Sequence, residues 1–305
     1  MPRFERSILL YNGAAGAATT DTVIPLTVPA LARASKHLEL IQTASEEEFE
    51  AACRNSCNNA DALFVAGGDG TVHIAAQVLA SIDNPPVLGI LPSGTCNDFA
   101  RTLEIPLLLD QAAEALAAGD IQDIDTAQIN QRIFLNFAGL GLITDTSLNI
   151  DPALKERYGK ISYFMSALQT MRQSTPFSIH LEIDGVQSVE EGVAALIMNG
   201  KSIGTHMFPM DSISPSDGLL DVFIIQSSTL TAIREWFSLA KPDVTPDELE
   251  HITHFQGQHI KIWTDEEKEV DTDGEIYLKT PLNIQIQPKK LKMLVPKPAL
   301  DSIPE

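Results

Sequence analysis

Residues 62–71, with the sequence ALFVAGGDGT, decide the fold that this chain is expected to adopt. The first five residues are all apolar, which is typical of a short strand buried on both faces of a sheet. Gly67 and Gly68 end this run, and residues 72–81 then show the apolar spacing of a helix. A glycine-rich turn between a strand and a helix lets the backbone approach an anion and aim amide groups at it. The stretch therefore predicts a phosphate-binding turn in an α/β sheet.

The same alternation of strand and helix recurs along the first part of the chain. Apolar runs at residues 7–11 and 87–91 predict two more buried strands, and helical spacing occurs at residues 46–55 and 110–118. Alternating strands and helices imply right-handed crossovers and a mostly parallel sheet. Ligands of such sheets bind at the carboxyl ends of the strands, so the turns after these strands form the candidate binding site.

Beyond about residue 130 the sequence changes to longer strand-like runs, separated by turn dipeptides such as Asp184-Gly185 and Asp273-Gly274. This pattern is typical of antiparallel strands and predicts a second domain that is mainly β. Helical spacing interrupts it at residues 161–171 and 230–239. The predicted strands are residues 134–137, 178–183, 193–198, 219–226, 259–263 and 276–278.

The charge of the chain excludes some classes of function. It has 41 acidic and 21 basic residues among 305, a formal net charge of −20. This balance argues against a protein that binds nucleic acid or an anionic membrane by charge alone. No secretory signal or membrane-spanning stretch is evident, so we expect a cytoplasmic protein. The three cysteines, Cys53, Cys57 and Cys96, do not make a disulfide or zinc framework, and ordinary buried or helical thiols are expected.

A second loop, residues 91–101, follows the next predicted strand and carries Thr95, Asn97 and Asp98. Two such loops at neighbouring strand ends would face one site. An acid such as Asp69 beside phosphates is repulsive unless a metal ion or its waters lie between them. The two loops together therefore indicate a phosphorylated ligand accompanied by a divalent cation.

Together with their order and spacing, these motifs resemble the lipid kinase family that contains diacylglycerol and sphingosine kinases, most closely its soluble bacterial diacylglycerol kinase-like members. The resemblance covers nearly the whole chain, including Asp217-Gly218-Leu219 and Asp273-Gly274-Glu275. The Gly-Gly-Asp-Gly turn alone is shared with NAD kinases and phosphofructokinases. The two late elements favour the lipid branch.

The resemblance implies both a fold and an activity. The fold is an NAD kinase/phosphofructokinase-like α/β nucleotide-binding domain, residues 1–129 plus 287–305, followed by a β-sandwich domain, residues 130–286. The activity is ATP-dependent phosphorylation of a lipid hydroxyl, with diacylglycerol as the leading acceptor and Mg²⁺ as the metal ion. Such an enzyme contacts the membrane surface only peripherally and has no nucleic acid partner, and a homodimer is left open.

Individual roles also follow from the resemblance. Glu275 matches the family's proton acceptor, and Asp273 is its close partner. The residues implied to contact the nucleotide lie in the turns at the strand ends: Asn12, Gly13, Ala14, Ala15, Gly16, Thr43, Gly67, Gly68, Asp69, Gly70, Thr71, Val72, His73, Ile74, Gly94 and Thr95.

Metal contacts are implied in the same way. Membrane contact is suggested instead by local positive charge, in Lys155, Arg157 and Lys160 and in Lys289, Lys290 and Lys292, with ordinary solvated surfaces as the alternative. The metal-binding residues form two groups, Asp69, Asp98 and Asp125 acting through water around the phosphates, and Ser214, Asp217 and Leu219 holding a separate Mg²⁺ in the β domain.

The chain departs from the family pattern at four places. Gly13 stands where proline is usual, His73 and Ile74 replace an Asn-Glu pair, Cys96 replaces a small or apolar residue, and a pair of glycines is reduced to Gly204. The loss of an acid at position 74 leaves open a nucleotide-binding regulator with little turnover. The shared Gly-Gly-Asp-Gly turn leaves open a kinase of a soluble acceptor such as NAD.

Overall fold

The computed structural model describes residues 2–12, 19–141, 175–204, 206–207, 210, 213–227, 235 and 249–298. The chain divides into two units. Unit 1 comprises Met1–Asp123 and Leu291–Glu305, and unit 2 comprises Ile124–Lys290.

Strands and helices alternate in unit 1, as the sequence predicts. The four strands β1 to β4 pair in parallel in the order β2-β1-β3-β4. Every residue of β3 is buried, in agreement with the two-sided burial expected of its apolar run. The elements are β1 (Phe4–Asn12), α1 (Thr20–Ala34), β2 (Ser35–Thr43), α2 (Glu46–Ser56), β3 (Ala62–Gly67), α3 (Asp69–Ala80), β4 (Val87–Pro92), α4 (Asp98–Thr102) and α5 (Leu109–Ala118).

Three elements of unit 1 were not predicted from the sequence, namely α1, β2 and the short helix α4. Helix α1 contains Pro25 and Pro29, and proline in a helix interior removes a hydrogen bond and crowds the preceding turn. The helix instead gains stability from burial of a face that includes Val23 and Leu31 and from packing against α5. Strand β2 lies at the sheet edge and is mostly exposed, so it lacks the apolar run that reveals a buried strand.

The described part of unit 2 contains two large antiparallel groups of strands and a small sheet that pairs residues 202–203 with residues 206–207. One large group has the strand order β14-β13-β10-β7-β16-β17, and the other contains β18, β15, β8 and β9 in that order, with β5 and β6 alongside. Strand β5 begins in unit 1, and β18 ends there. The elements are β5 (Asp120–Ile129), β6 (Arg132–Phe134), β7 (Phe137–Leu140), β8 (Phe177–Ile183), β9 (Val186–Gly192), β10 (Ala194–Met198), β11 (Ser202–Ile203), β12 (His206–Met207), β13 (Leu220–Ile225), β14 (Ile252–Gly257), β15 (His259–Thr264), β16 (Glu269–Thr272), β17 (Glu275–Lys279) and β18 (Leu282–Val295).

The two sheets of unit 2 enclose one apolar core. Leu181 of β8 and Ile262 of β15 belong to the same cluster of buried side chains as Ile197 of β10 and Val222 of β13. Apolar side chains on inner faces of two packed sheets are the mark of a β-sandwich. An α/β unit followed by a β-sandwich confirms the predicted fold class.

The last part of β18 returns to unit 1, where Met293 pairs with Leu88 of β4 in parallel. A strand after residue 288 was expected from the sequence. The strand expected at residues 134–137 is instead divided between β6 and β7. Buried Asn136 lies at the break and donates its side-chain amide to the carbonyl of Ser202, so a polar contact ends one strand and begins the next.

The two helices predicted at residues 161–171 and 230–239 lie outside the described residues, apart from Glu235. Among the helices that the structure describes, none is long and apolar enough to cross a membrane.

Asp125 of β5 joins three segments of unit 2. Its side chain is buried, with a relative exposure of 1%. One carboxylate oxygen accepts from the amide of Gly218 and the other from the amide of Lys289, both at 2.7 Å. Its own amide donates to the carbonyl of Pro215 at 2.7 Å. Because hydrogen bonds to a charged acceptor stabilise the folded state more than bonds to a neutral one, Asp125 holds the 215–218 turn and β18 to β5.

We predict that Asp125→Ala lowers the free energy of unfolding by about 2–5 kcal/mol, because the amides of Gly218 and Lys289 both lose a charged acceptor. Urea denaturation followed by circular dichroism measures the change. Asp123→Ala is the matched control, since that half-exposed side chain makes a surface ion pair with Lys292 at 3.0 Å, worth about 1 kcal/mol or less. Equal losses in the two variants would contradict the role given to Asp125.

Candidate functional site

The glycine-rich turn lies between β3 and α3, at the carboxyl end of the parallel sheet. Gly68 is the N-cap of α3, and the helix begins at Asp69, three residues before the start that the apolar spacing suggested. The amides of the first turn therefore belong to residues 69–71 and lie at the positively polarised end of the helix. This geometry suits an anion such as a phosphate.

Gly68 and Gly94 bring the two strand-end loops into direct backbone contact. A Cβ atom on Gly94 would lie 2.5 Å from Gly68 Cα, and a Cβ atom on Gly68 would lie 3.0 Å from Gly94 Cα. The amide of Ser93 also donates to the carbonyl of Gly67 at 3.0 Å. These glycines are required because side chains would separate the loops.

Asp69 fixes the second loop to the first. Its Oδ2 accepts from the amide of Asn97 at 3.0 Å, and its Oδ1 accepts from the amide of Asp98 at 2.6 Å. Asn97 in turn exchanges two hydrogen bonds of 2.9 Å with the backbone of Gly94 and has a positive φ of 52°. The structure thus brings together Asp69, Asn97 and Asp98, three residues that lie 28–29 positions apart across the two loops.

A cluster of possible metal ligands lies where the loops meet. One ligand atom from each of Asp69, Cys96 and Asp98 lies within 4.8 Å of the others. Carboxylate oxygens suit Mg²⁺, whereas a thiol does not. Because both oxygens of Asp69 accept backbone amides, Asp69 fits a Mg²⁺ ion best through bound water, with Asp98 as its neighbouring acid.

A cleft of about 170 Å³ opens at the carboxyl ends of β1 and β3. Five residues of the implied nucleotide site line it, and two lining residues, Glu46 and Phe49 of α2, were missed by sequence reasoning. Their position was hidden because β2, the strand that leads into α2, was not recognised. The lining residues are Asn12, Glu46, Phe49, Gly68, Gly70, Thr71 and Ile74.

The other residues implied to contact the nucleotide occupy varied positions. Thr43 is buried, and its hydroxyl donates to the carbonyl of Tyr11 at 3.4 Å. Val72 is buried with its side chain in the core, whereas Thr95 is exposed in the second loop. Residues 13–16, the implied turn after β1, lie outside the described residues, so contacts from Gly13, Ala14, Ala15 and Gly16 stay predictions.

The turn at residues 214–219 in unit 2 gathers the second implied metal group. The hydroxyls of Ser214 and Ser216 lie 3.2 Å apart, and Asp217 Oδ1 accepts from the amide of Leu219 at 2.9 Å. Burial raises the pKa of the Asp217 carboxyl, the Leu219 amide opposes this, and the nearby carboxylates of Asp221 and Asp125 raise it further. A divalent cation here would offset the repulsion among these acids. Metal binding at this turn stays a prediction.

Asp273 occupies the hairpin turn between β16 and β17, with a positive φ of 52°. Its Oδ2 accepts from the amide of Leu135 at 2.8 Å, and its Oδ1 accepts from the amides of Asn136 and Phe137 at 2.9 and 3.0 Å. These three bonds hold the hairpin to the segment that joins β6 and β7. Asp273 therefore positions the backbone beside Glu275, whose side chain lies outside the described parts, and a direct chemical role for either acid stays a prediction.

We predict that Gly94→Ala lowers the free energy of unfolding of unit 1 by about 1–3 kcal/mol, because the new Cβ atom would overlap the backbone of Gly68. Gly70→Ala is the matched control in the partner loop. A Cβ atom at Gly70 meets nothing within 4 Å, and alanine is the better helix former. Thermal unfolding compares the two variants, and a Gly94→Ala protein as stable as Gly70→Ala would contradict the close approach of the loops.

Comparison with known proteins agrees with this two-part organisation. Residues 6–129 match the family profile of the diacylglycerol kinase catalytic domain, and residues 146–295 match that of the YegS C-terminal NAD kinase beta sandwich-like domain. A Staphylococcus aureus (strain JH9) protein named "putative lipid kinase" is 32% identical over 297 residues, which cover 96% of this chain and 97% of the relative.

Solved structures give the same result. A crystal structure of a "putative diacylglycerol kinase" from Bacillus anthracis str. Sterne has a TM-score of 0.87 and 34% identity, covering 97% of this chain and 98% of its own. A second crystal structure, described as a diacylglycerol kinase from the same strain, has a TM-score of 0.83 and 31% identity with the same coverage. The family resemblance read from the sequence is confirmed, and this chain belongs to the diacylglycerol kinase-like lipid kinase family.

Proposed function

We propose that this protein is an ATP-dependent lipid kinase that transfers the γ-phosphate of ATP to a lipid hydroxyl, most simply that of diacylglycerol, giving phosphatidic acid. The observation that carries the proposal is the joining of the two strand-end loops by Asp69, whose carboxylate accepts the amides of Asn97 and Asp98. This contact supports a site in which a helix N-terminus and two acids face one ligand. The names of the relatives support a lipid acceptor.

The first part of the proposed mechanism is positioning of the phosphates. The first-turn amides of α3 bind the phosphate oxygens, and the open space beside Gly70 lets the backbone approach them. Mg²⁺, when bound, neutralises charge on the transferred phosphoryl group. Asp98 and Asp69 would hold that ion, Asp69 through water. These contacts supply the orientation and charge neutralisation on which phosphoryl transfer mainly depends.

The second part is removal of the acceptor proton. A lipid hydroxyl must lose its proton as it attacks the γ-phosphorus, and Glu275 is the proposed acceptor of that proton. Glu275 is the first residue of β17 and follows the turn that Asp273 fixes through three backbone amides. We assign Asp273 the task of holding this turn, so that the backbone next to Glu275 keeps a fixed position.

Two alternatives have specific support. Ile74 lines the cleft where the family pattern has an acid, which favours a nucleotide-binding regulator with little turnover. The glycine-rich turn shared with NAD kinases favours a soluble acceptor such as NAD. We also propose a cytoplasmic location with transient contact to a membrane surface. The basic residues Lys155, Arg157 and Lys160 proposed for that contact lie outside the described residues.

We predict that the purified protein labels a lipid when it is incubated with γ-labelled ATP, Mg²⁺ and vesicles containing diacylglycerol, and that Asp69→Asn reduces the rate at least about a hundredfold. The asparagine side chain has a single acceptor oxygen in place of two, so one of the two loop amides loses its acceptor. The substitution also removes a negative charge beside the proposed metal site. Asp110→Asn, at the exposed first turn of α5, is the matched control and keeps the rate. Label in NAD would select the soluble acceptor, and ATP binding without label in any acceptor would select the regulator.

Glu275→Gln should lower kcat by roughly two to four powers of ten while leaving the affinity for nucleotide unchanged, because glutamine keeps the size of the side chain but cannot accept the proton. Single-turnover kinetics measure the chemical step, and calorimetry with ADP measures the affinity. Glu269→Gln on the neighbouring strand β16 removes an equal charge as a control. A parallel fall in nucleotide affinity and turnover would assign Glu275 to nucleotide binding.

A further inference from the structure

Glu46 gives the cleft a feature that neither the sequence nor the family relationship assigns. Of the described residues that line the cleft, Glu46 alone carries a charge. Phe49, one turn later on the same face of α2, also lines the cleft and is buried. Glu46 is exposed, so the cleft combines an exposed carboxylate with a buried aromatic ring. Gly68, Gly70 and Thr71 line the same cleft.

The first turn of α2 contains three acids, and two of them are engaged by the helix itself. Glu48 accepts from the amide of Ala44 at 2.9 Å. The Glu47 backbone amide and the Ser45 hydroxyl lower the pKa of the Glu47 carboxyl. Glu46 makes no side-chain hydrogen bond or ion pair with any other residue that the structure describes. Its carboxylate is therefore available to a ligand in the cleft.

The strand order fixes which part of a nucleotide Glu46 would meet. The ends of β3, β1 and β2 lie side by side, since Ala66 pairs with Tyr11 and Asn12 pairs with Thr43. Adjacent strands are about 4.8 Å apart, so the phosphate turn after β3 and the segment after β2 are separated by about 10 Å. The cleft is lined by both Gly70 of α3 and Glu46 of α2, so a nucleotide that fills it with its phosphates on α3 would place its sugar near Glu46.

The chemistry of a carboxylate matches that sugar. Phosphate groups would repel the Glu46 carboxylate. The two neighbouring hydroxyls of a ribose, in contrast, can both donate hydrogen bonds to it. Dinucleotide sites also use an acidic side chain to recognise ribose hydroxyls, although there the acid follows the phosphate turn in the chain. On the basis of the nucleotide use proposed above, we propose that Glu46 accepts hydrogen bonds from the ribose hydroxyls and makes the site prefer ribonucleotides over deoxyribonucleotides.

The test combines a change in the protein with a change in the nucleotide. Glu46→Ala and the matched control Glu47→Ala remove the same charge from the same helix turn, and only the first changes the cleft. For each full-length protein, kcat/KM is measured with ATP, 2′-deoxy-ATP and 3′-deoxy-ATP at a fixed lipid acceptor. Calorimetry then measures the dissociation constants of ADP, 2′-deoxy-ADP and 3′-deoxy-ADP, which needs no turnover.

We expect the wild-type protein to prefer ATP over at least one deoxynucleotide by roughly ten- to a hundredfold, the worth of a hydrogen bond to a charged acceptor. Glu46→Ala should abolish this preference in both measurements, whereas Glu47→Ala should keep it. The proposal would be overturned if Glu46→Ala lowered kcat/KM and affinity equally for all nucleotides, or if it changed only the dependence of the rate on Mg²⁺. Absence of turnover with the ADP binding pattern intact would overturn the kinase proposal but support the role of Glu46.

Discussion

The candidate site depends on one interaction, the acceptance of two backbone amides by the carboxylate of Asp69. Without it, the amides of Asn97 and Asp98 in the loop after β4 lose the charged acceptor that holds them against the phosphate turn. The contact between Gly68 and Gly94 makes the bond possible, because it brings the two backbones close enough for a short side chain to span them. Asp69, which the sequence suggested for metal binding, therefore also holds the two loops together.

Other aspartates along the chain also accept backbone amides. Part of the acidic composition of the chain therefore serves to stabilise the fold. Among the described residues, five aspartates each accept at least two backbone amides from a distant segment, and hydrogen bonds to charged acceptors are among the stronger ones in proteins. Four of them fix a loop or a strand end, whereas Asp125 also accepts the amide of Lys289 within β18. The five aspartates are Asp61, Asp69, Asp125, Asp184 and Asp273.

Sequence reasoning succeeded where a pattern is local and failed where tertiary contacts decide. The apolar run of β3 and the glycines after it predicted both the parallel sheet and the place of the site. Helix α1 was hidden by Pro25 and Pro29, since packing against α5 outweighs the helix-breaking tendency of proline. Edge strand β2 has no apolar run to reveal it, and its omission also concealed Glu46, the first residue after that strand's connecting turn. No periodicity could show that Asp273 turns inward to three amides.

The return of β18 to unit 1 has a consequence for how the protein is made. Residues 291–295 complete the parallel sheet beside β4, where Met293 pairs with Leu88, yet they are synthesised after all of unit 2. During translation, the nascent parallel sheet therefore has the edge of β4 uncovered while more than half of the chain follows it. An uncovered strand edge is a site for misassociation between chains. The order of synthesis thus leaves this edge open to other chains until the segment around Met293 has been made and has paired with it.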